Sequence, residues 1–209
     1  MSGVITGLKF QQRDKSRVSV YLDGEYAFAL DAIEAARLRK GQVLSDTEIA
    51  SLRAQDERQR AYDRAVRFLS YRPRSRAEVE RYLRGKAIAE EVVVEVIARL
   101  ERAGYLDDEA FARFWLENRE RFKPRSQRAL QYELRQKGVG DEIIARVLSD
   151  ADDETSAWHA IEGRFSKWAD LPVDEFRQKV VDYLYRRGFD YSTISVTLEK
   201  ALRKSGIEN

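Results

Sequence analysis

The sequence predicts a mainly α-helical protein, built from tandem three-helix units behind a small antiparallel β meander. Three observations predict it. The first 30 residues are strand-like in composition, a 51-residue repeat with helical periodicity follows, and charged residues reach 35%, above the roughly 25% usual for globular chains. Small helical bundles have much surface to cover, which suits that excess. Hydrophobic residues at 43% are enough to build cores.

"VITGLKF", "RVSVYL" and "EYAFAL" are short, β-branched or aromatic, and partly alternating, as half-buried strands are. Arg13 to Ser16 reads as one turn. Leu22-Asp23-Gly24-Glu25 reads as a tight hairpin, since Asp-Gly tolerates the positive φ that such turns need. The result is a three-stranded meander that leans on a helix. That helix is expected to start after Asp31 as N-cap and to run through "AIEAARLRK" to a stop at Gly41. Ser45-Asp46-Thr47-Glu48 is a capping box. The helix behind it is expected to break near Gln55, inside a charged stretch from Arg53 to Arg60 that reads as a domain boundary.

From there the repeat takes over. Pro73, Ser75, Val79, Leu83 and Lys86 match Pro124, Ser126, Leu130, Leu134 and Lys137, all 51 apart, and Ile88, Glu91 and Val93 match Val139, Glu142 and Ile144. A fainter third copy places Leu184, Arg187, Gly188, Phe189 and Leu198 at offset 50 from Leu134, Lys137, Gly138, Val139 and Leu148. Its loop keeps Pro172 without the Arg-Ser. Repetition of this period indicates stacked units, each unable to bury its apolar face alone.

Each unit reads as three helices. In the second, Asp107 or Asp108 caps a helix carrying Phe111, Trp115 and Phe122. Ser126 caps the next, with Leu130 and Leu134 inward, and Gly138 ends it. Asp141 caps the third, with Ile144, Val147 and Leu148 inward. The expected domains are residues 1–57, 58–106, 107–152 and 153–209.

Net charge is only +2, but it is unevenly spread. Residues 58–88 hold ten Lys/Arg against three Asp/Glu, residues 113–137 eight against three, and residues 155–189 six against five. Arg72, Arg74 and Arg76 surround the first Pro-Arg-Ser turn, and Lys123, Arg125 and Arg128 the second. Stopping and restarting a helix does not require arginine. Clustered guanidinium groups suit phosphates or carboxylates, although a charge run is also what a solvated helix face looks like.

Other chemistry is poorly represented. The absence of cysteine excludes disulfides and thiol nucleophiles. His159, the only histidine, lies beside Trp158 on a helix and is read as structural; Trp115, Trp158, Trp168, Phe111 and Phe114 are read as core. Tyr71, Tyr105 and Phe122 are either core or contact residues. Asp107-Asp108-Glu109 is better explained as a helix cap than as a catalytic or metal site. There is no phosphate-cradling loop, dinucleotide fingerprint or His-containing metal motif. The expectation is a non-enzyme without cofactor or metal, in the cytoplasm, with no signal peptide or membrane span.

"FLSYRPRSRAEVERYLRGK", then "VIARLERAGYLDDEAFARFWLENRERFKPRS", then "LRQKGV" closely resemble the bacterial RecX regulatory proteins. "GYLDDEAFA" followed by "KPRS" is the specific part. The likeness runs from about Arg58 to the C-terminus and weakens in the third unit. It implies an elongated, curved stack of three-helix repeats that binds the RecA recombinase filament on DNA as a monomer. Lodged in the helical groove, such a protein inhibits ATP hydrolysis and strand exchange and favours disassembly. Arg72, Arg74, Arg76, Lys123, Arg125 and Arg128 are the candidate contacts to RecA or DNA. The rival reading is a helix-turn-helix-like DNA binder acting without a recombinase, drawn from "LQYELRQKGVGDEIIARVL". A purely structural interaction scaffold is a third.

Overall fold

The computed structural model describes residues 2–168 and 170–205, so 206–209, assigned above to the third repeat, lie outside it. The N-terminal strands are β1 (Gly3–Phe10), β2 (Arg17–Leu22) and β3 (Glu25–Asp31). β2 and β3 meet at a hairpin whose Asp23 and Gly24 have φ of 51° and 93°, the two left-handed residues of a type I′ turn. The Asp14 carboxylate closes the earlier turn by accepting from the Ser16 N–H at 3.0 Å.

The sheet has four strands, not three, in the order β3-β2-β1-β4. The expected helix from Asp31 to Gly41 accounts for the difference. Asp31 does cap it, accepting from the Ile33 N–H at 2.8 Å, but α1 spans only Ala32–Ala35. The chain then turns through Gly41 at φ 89° and lays β4 (Val43–Leu44) against the start of β1. The gain is tertiary: the Ile5 N–H donates to the Gln42 carbonyl and the Ile5 carbonyl accepts from the Gly41 N–H, both at 2.8 Å, so these groups are not left unpaired. Ile5, Val18, Val20, Phe28, Leu30, Leu44 and Ile49 form the core beneath.

α2 (Asp46–Leu69) starts at the expected capping box, Ser45 with Glu48, and runs unbroken past Gln55. Its charged middle is rich in good helix formers and is anchored sideways. Arg17 forms a two-pronged ion pair with the buried Asp56, Arg53 donates to the Ala27 carbonyl at 2.9 Å, and Arg58 pairs with Glu95 at 2.6 Å. α3 (Arg76–Arg84) and α4 (Glu90–Arg102) complete the first repeat with the second half of α2. Phe68 stacks on Tyr82 at 4.0 Å and Arg99 lies 3.8 Å from the Tyr62 ring centre.

α5 (Asp108–Phe122), α6 (Gln127–Gln136) and α7 (Asp141–Val147) form the second repeat, around Phe111, Leu130, Leu134, Ile144 and Leu148. Asp107 caps α5, accepting from the N–H groups of Glu109 and Ala110. Asp141 does not cap α7; Gly140 holds that position without a side-chain bond, and Asp141 opens the first turn, where a carboxylate complements the helix dipole. α8 (Asp153–Trp168), α9 (Val173–Tyr185) and α10 (Tyr191–Lys204) form the third repeat around Ile161, Phe176, Val180, Leu184 and Ile194.

By contacts the chain divides into two compact units, Met1–Tyr71 with Tyr82–Ala103, and Arg72–Arg81 with Gly104–Asn209. The first Pro-Arg-Ser turn and the start of α3 thus belong with the second and third repeats.

Candidate functional site

Within the second unit both Pro-Arg-Ser turns do the same structural work. Ser75 and Ser126 are fully buried. The Ser75 hydroxyl accepts from the Glu78 N–H at 3.2 Å and donates to the Lys137 carbonyl at 2.5 Å, 62 residues away. The Ser126 hydroxyl accepts from the Ala129 N–H at 3.2 Å and donates to the Gly188 carbonyl at 2.7 Å, again 62 residues away. Each serine therefore caps its own helix and clasps the C-terminal end of the middle helix of the next repeat. That end carries carbonyls with no intrahelical partner, so the clasp satisfies two helix ends at once.

The clasp also fixes the glycines. Gly138 and Gly188 have φ of 80° and 90°. A Cβ on Gly138 would lie 2.4 Å from the Ala77 Cβ, and one on Gly188 would lie 2.8 Å from Ser126 Oγ and 2.9 Å from the Ala129 Cβ. A second tie repeats too: the Arg76 N–H donates to Asp108 at 2.8 Å, and the Gln127 N–H to Asp153 at 2.6 Å. Asp108 is thus a structural acceptor. Burial pushes the Asp153 carboxyl up, against the lowering effect of the Gln127 bond.

The six cations named from the sequence fall into two groups. Arg72 sits in a fork on Glu78, at 3.0 and 3.1 Å, and Lys137 reaches the same carboxylate at 2.8 Å. Burial alone would raise the Glu78 pKa, but the bonds from Arg72 and Lys137 outweigh it and hold the group at about 2. Arg76 pairs with Glu80 at 2.9 Å along its own helix. Arg125 pairs with Glu133 at 3.1 Å, a carboxylate that also takes Arg119 and the Trp115 indole N–H. Arg74 is half-buried and engaged as well. Lys123 and Arg128 are exposed, and neither forms an ion pair with a described residue.

Glu78 and Glu133 were missed in the sequence reading. For Glu78 a signal exists, because Ser75-x-x-Glu78 is itself a capping-box spacing. Tyr71 and Phe122 occupy equivalent places before the two turns and are 76% and 68% exposed, and Tyr105 is 56% exposed. Phe111 is core, Trp115, Trp158 and Trp168 are half-buried, Phe114 is 38% exposed, and His159 is exposed. The apolar residues of α7 are spent on the second core, which leaves Asp141, Glu142 and Arg146 for any contact by that helix.

Four family models match in order along the chain: the regulatory protein RecX N-terminal domain over residues 3–45, and the RecX first, second and third three-helix domains over 61–100, 107–148 and 152–198. The regulatory protein RecX of Bacillus subtilis strain 168 is 33% identical over 201 residues, covering 94% of this chain and 76% of that protein. This chain belongs to the RecX family of regulatory proteins. RecX of Listeria monocytogenes is 30% identical over 193 residues, 88% of this chain and 71% of that one. A crystal structure of a regulatory protein RecX superposes with a TM-score of 0.70 at 27% identity, over 94% of this chain and 99% of that chain. RecX from Lactobacillus salivarius shares the fold, with a TM-score of 0.60 at 23% identity over 70% of this chain and 97% of that one. The Bacillus subtilis and Listeria monocytogenes relatives and the first of these structures are named as regulatory proteins, not as enzymes. Among the described residues no helix is long and apolar enough to cross a membrane, and no group of three potential metal ligands occurs.

Proposed function

We propose that this chain regulates the RecA recombinase by binding the RecA–DNA filament in its helical groove, lowering ATP hydrolysis and favouring disassembly. Membership of the RecX family supports the partner. The observation that carries the mode is the repetition of one contact element: an exposed aromatic, a basic turn and a buried serine, at Tyr71–Ser75 and again at Phe122–Ser126. A protein that presents the same contact twice suits a polymer of identical protomers. The second contact becomes effectively intramolecular, so two weak contacts add to useful avidity. Preference for one protomer arrangement then shifts the filament toward it.

In this reading the cations divide by role. Lys123 and Arg128, with Phe122, make direct contact with RecA or the bound DNA. Arg72, Arg74, Arg76 and Arg125 hold the turns in shape and offer their remaining donors.

The test is inhibition of DNA-dependent RecA ATPase, paired with co-sedimentation on filaments. Lys123→Glu with Arg128→Glu is expected to lower both by about tenfold, with melting unchanged because both side chains are exposed. Full inhibition by that variant would remove the second turn from the mechanism. No inhibition by the unmodified chain would remove RecA.

A further inference from the structure

The N-terminal sheet has two edges, and they are finished differently. At the β3 edge the carbonyls of Ala27 and Ala29 are taken, by Arg53 at 2.9 Å and Arg17 at 3.1 Å. The β1 edge is covered only at its start. Gly3 and Val4 face Leu44 and Val43 of β4, the Ile5 N–H and carbonyl bond to Gln42 and Gly41, and a bulge follows between Ile5 and Gly7. From Gly7 to Phe10, β1 pairs with β2 alone.

The register identifies the open groups. The Gln11 N–H donates to the Arg17 carbonyl at 2.9 Å, and hydrogen-bonded pairs alternate along an antiparallel ladder. Lys9 and Gly7 therefore bond toward β2, opposite Ser19 and Tyr21, and the N–H and C=O of Leu8 and Phe10 point out from the edge. The Leu8 side chain packs on the N-terminal core. Phe10, two residues on, shares its face but runs past the core and is 63% exposed. Bulges and lysines commonly guard such edges. Here the bulge lies before the open stretch, and the Lys9 ammonium is folded back over the Tyr21 ring at 5.0 Å.

The surroundings are cationic. Arg13 and Lys15 lie in the turn after β1, and Arg39 and Lys40 precede Gly41, whose N–H brings that segment to the edge at Ile5. With Lys9 these side chains are exposed, and none forms an ion pair with a described residue. The acids among them are engaged: Asp14 accepts from the Ser16 N–H and hydroxyl, and Glu34 pairs with Arg37.

We propose that the β1 edge takes up an acidic, extended polypeptide segment as a further strand, bonded to Leu8 and Phe10, with its carboxylates on the cations around them. Strand addition draws affinity from main-chain hydrogen bonds and selectivity from alternate side chains. The open row is about 14 Å long at roughly 3.4 Å per residue, room for a short segment. Chemistry separates this occupant from two others. A phosphodiester backbone meets the cations but offers the Leu8 and Phe10 carbonyls no row of N–H donors. A second copy of this chain offers such a row but sets the same cations against each other, and like charges across a strand pair repel. The proposal stands apart from the recombinase reading, because its readout needs this chain alone.

The probe is a fluorescein-labelled peptide alternating valine and glutamate, titrated into the full chain and followed by anisotropy, with amide hydrogen exchange read by NMR. Saturating peptide should slow exchange at Leu8 and Phe10 at least tenfold, and at Gly7 and Lys9, already bonded to β2, by less. The same sequence in alternating D- and L-residues keeps the charge but cannot form the strand, and should bind at least tenfold more weakly. Arg39→Glu with Lys40→Glu should weaken binding about tenfold, since like charges then meet. Phe10→Ala should weaken it about threefold, the share of one cross-strand side-chain contact. All three side chains are exposed, so circular dichroism should show intact folding. Absence of binding by the unmodified chain, or equal binding of the D/L form, would overturn the proposal. So would protection of Leu8 and Phe10 produced without peptide, by raising the chain concentration or by adding oligothymidine.

Discussion

Gly138→Ala tests whether the joint between repeats is built as described. Two costs apply. Alanine at φ 80° enters the left-handed region, at about 1–2 kcal/mol. Its Cβ would also stand 2.4 Å from the Ala77 Cβ, far inside the ordinary carbon–carbon contact of roughly 3.5–4 Å. Relief requires the start of α3 to shift, and overpacking of that kind costs about 1–3 kcal/mol. The sum is about 3 kcal/mol, a large part of the stability of a small unit. Urea unfolding followed by far-UV circular dichroism would read it. The decisive arm is a double-mutant cycle with Ala77→Gly, which removes the opposing Cβ and leaves the backbone strain. The clash should appear as a coupling of at least about 1 kcal/mol, the two changes together costing less than their sum. A Gly138→Ala protein within about 0.5 kcal/mol of the parent, or strict additivity with Ala77→Gly, would refute the packing argument.

Three further outcomes are expected. Ser75→Ala and Ser126→Ala each remove a cap and a clasp, leaving the Lys137 or Gly188 carbonyl short of a donor; each should cost about 1–2 kcal/mol in the same urea assay. Glu78 is held at about 2 against an ordinary 4.5, so its stabilisation is complete above about pH 5 and is lost as pH falls from about 4.5 through 2. The 2.5-unit depression corresponds to about 3 kcal/mol, and the stability gap between the parent and Glu78→Gln should narrow by about 2 kcal/mol between pH 7 and pH 3. Asp56→Ala strands the Arg17 guanidinium in a site only 15% exposed; a loss of about 3 kcal/mol is expected, visible as earlier melting of the N-terminal unit.

What the sequence disclosed follows from how far each signal reaches. The Asp23-Gly24 hairpin, the Ser45–Glu48 box, the Ser126 cap and the Gly138 stop are settled within about four residues, and all are present. β4 is not local: Val43 and Leu44 form a strand only because β1 offers a free edge 40 residues earlier. The same contact ends α1 early, against a sequence that reads helical up to Lys40. The Arg53–Arg60 stretch reads as a boundary because it is polar, and that polarity is used on Asp56 against Arg17 and on Arg58 against Glu95. At the candidate site the cationic clusters were legible as charge counts. Their division was not, since it depends on Glu78, Glu133 and a pair of 62-residue clasps that no local pattern announces.

The three repeats allow the demands on the turn to be separated. Each middle helix ends on a left-handed residue, Ala87 at φ 56°, Gly138 at 80° and Gly188 at 90°. If the helix end itself required glycine, position 87 would carry it. Alanine stands there and lines an open groove, at a backbone cost of about 1 kcal/mol that a stable fold can absorb. Glycine occurs where a Pro-Arg-Ser turn docks and a Cβ would strike Ala77 or Ala129. Space in the joint, rather than the left-handed φ, therefore selects glycine at 138 and 188. The serines and glycines of the turns are then accounted for by packing within the chain. That packing makes no demand on Tyr71, Phe122, Lys123 or Arg128, and it is these four exposed side chains that a partner is left to explain.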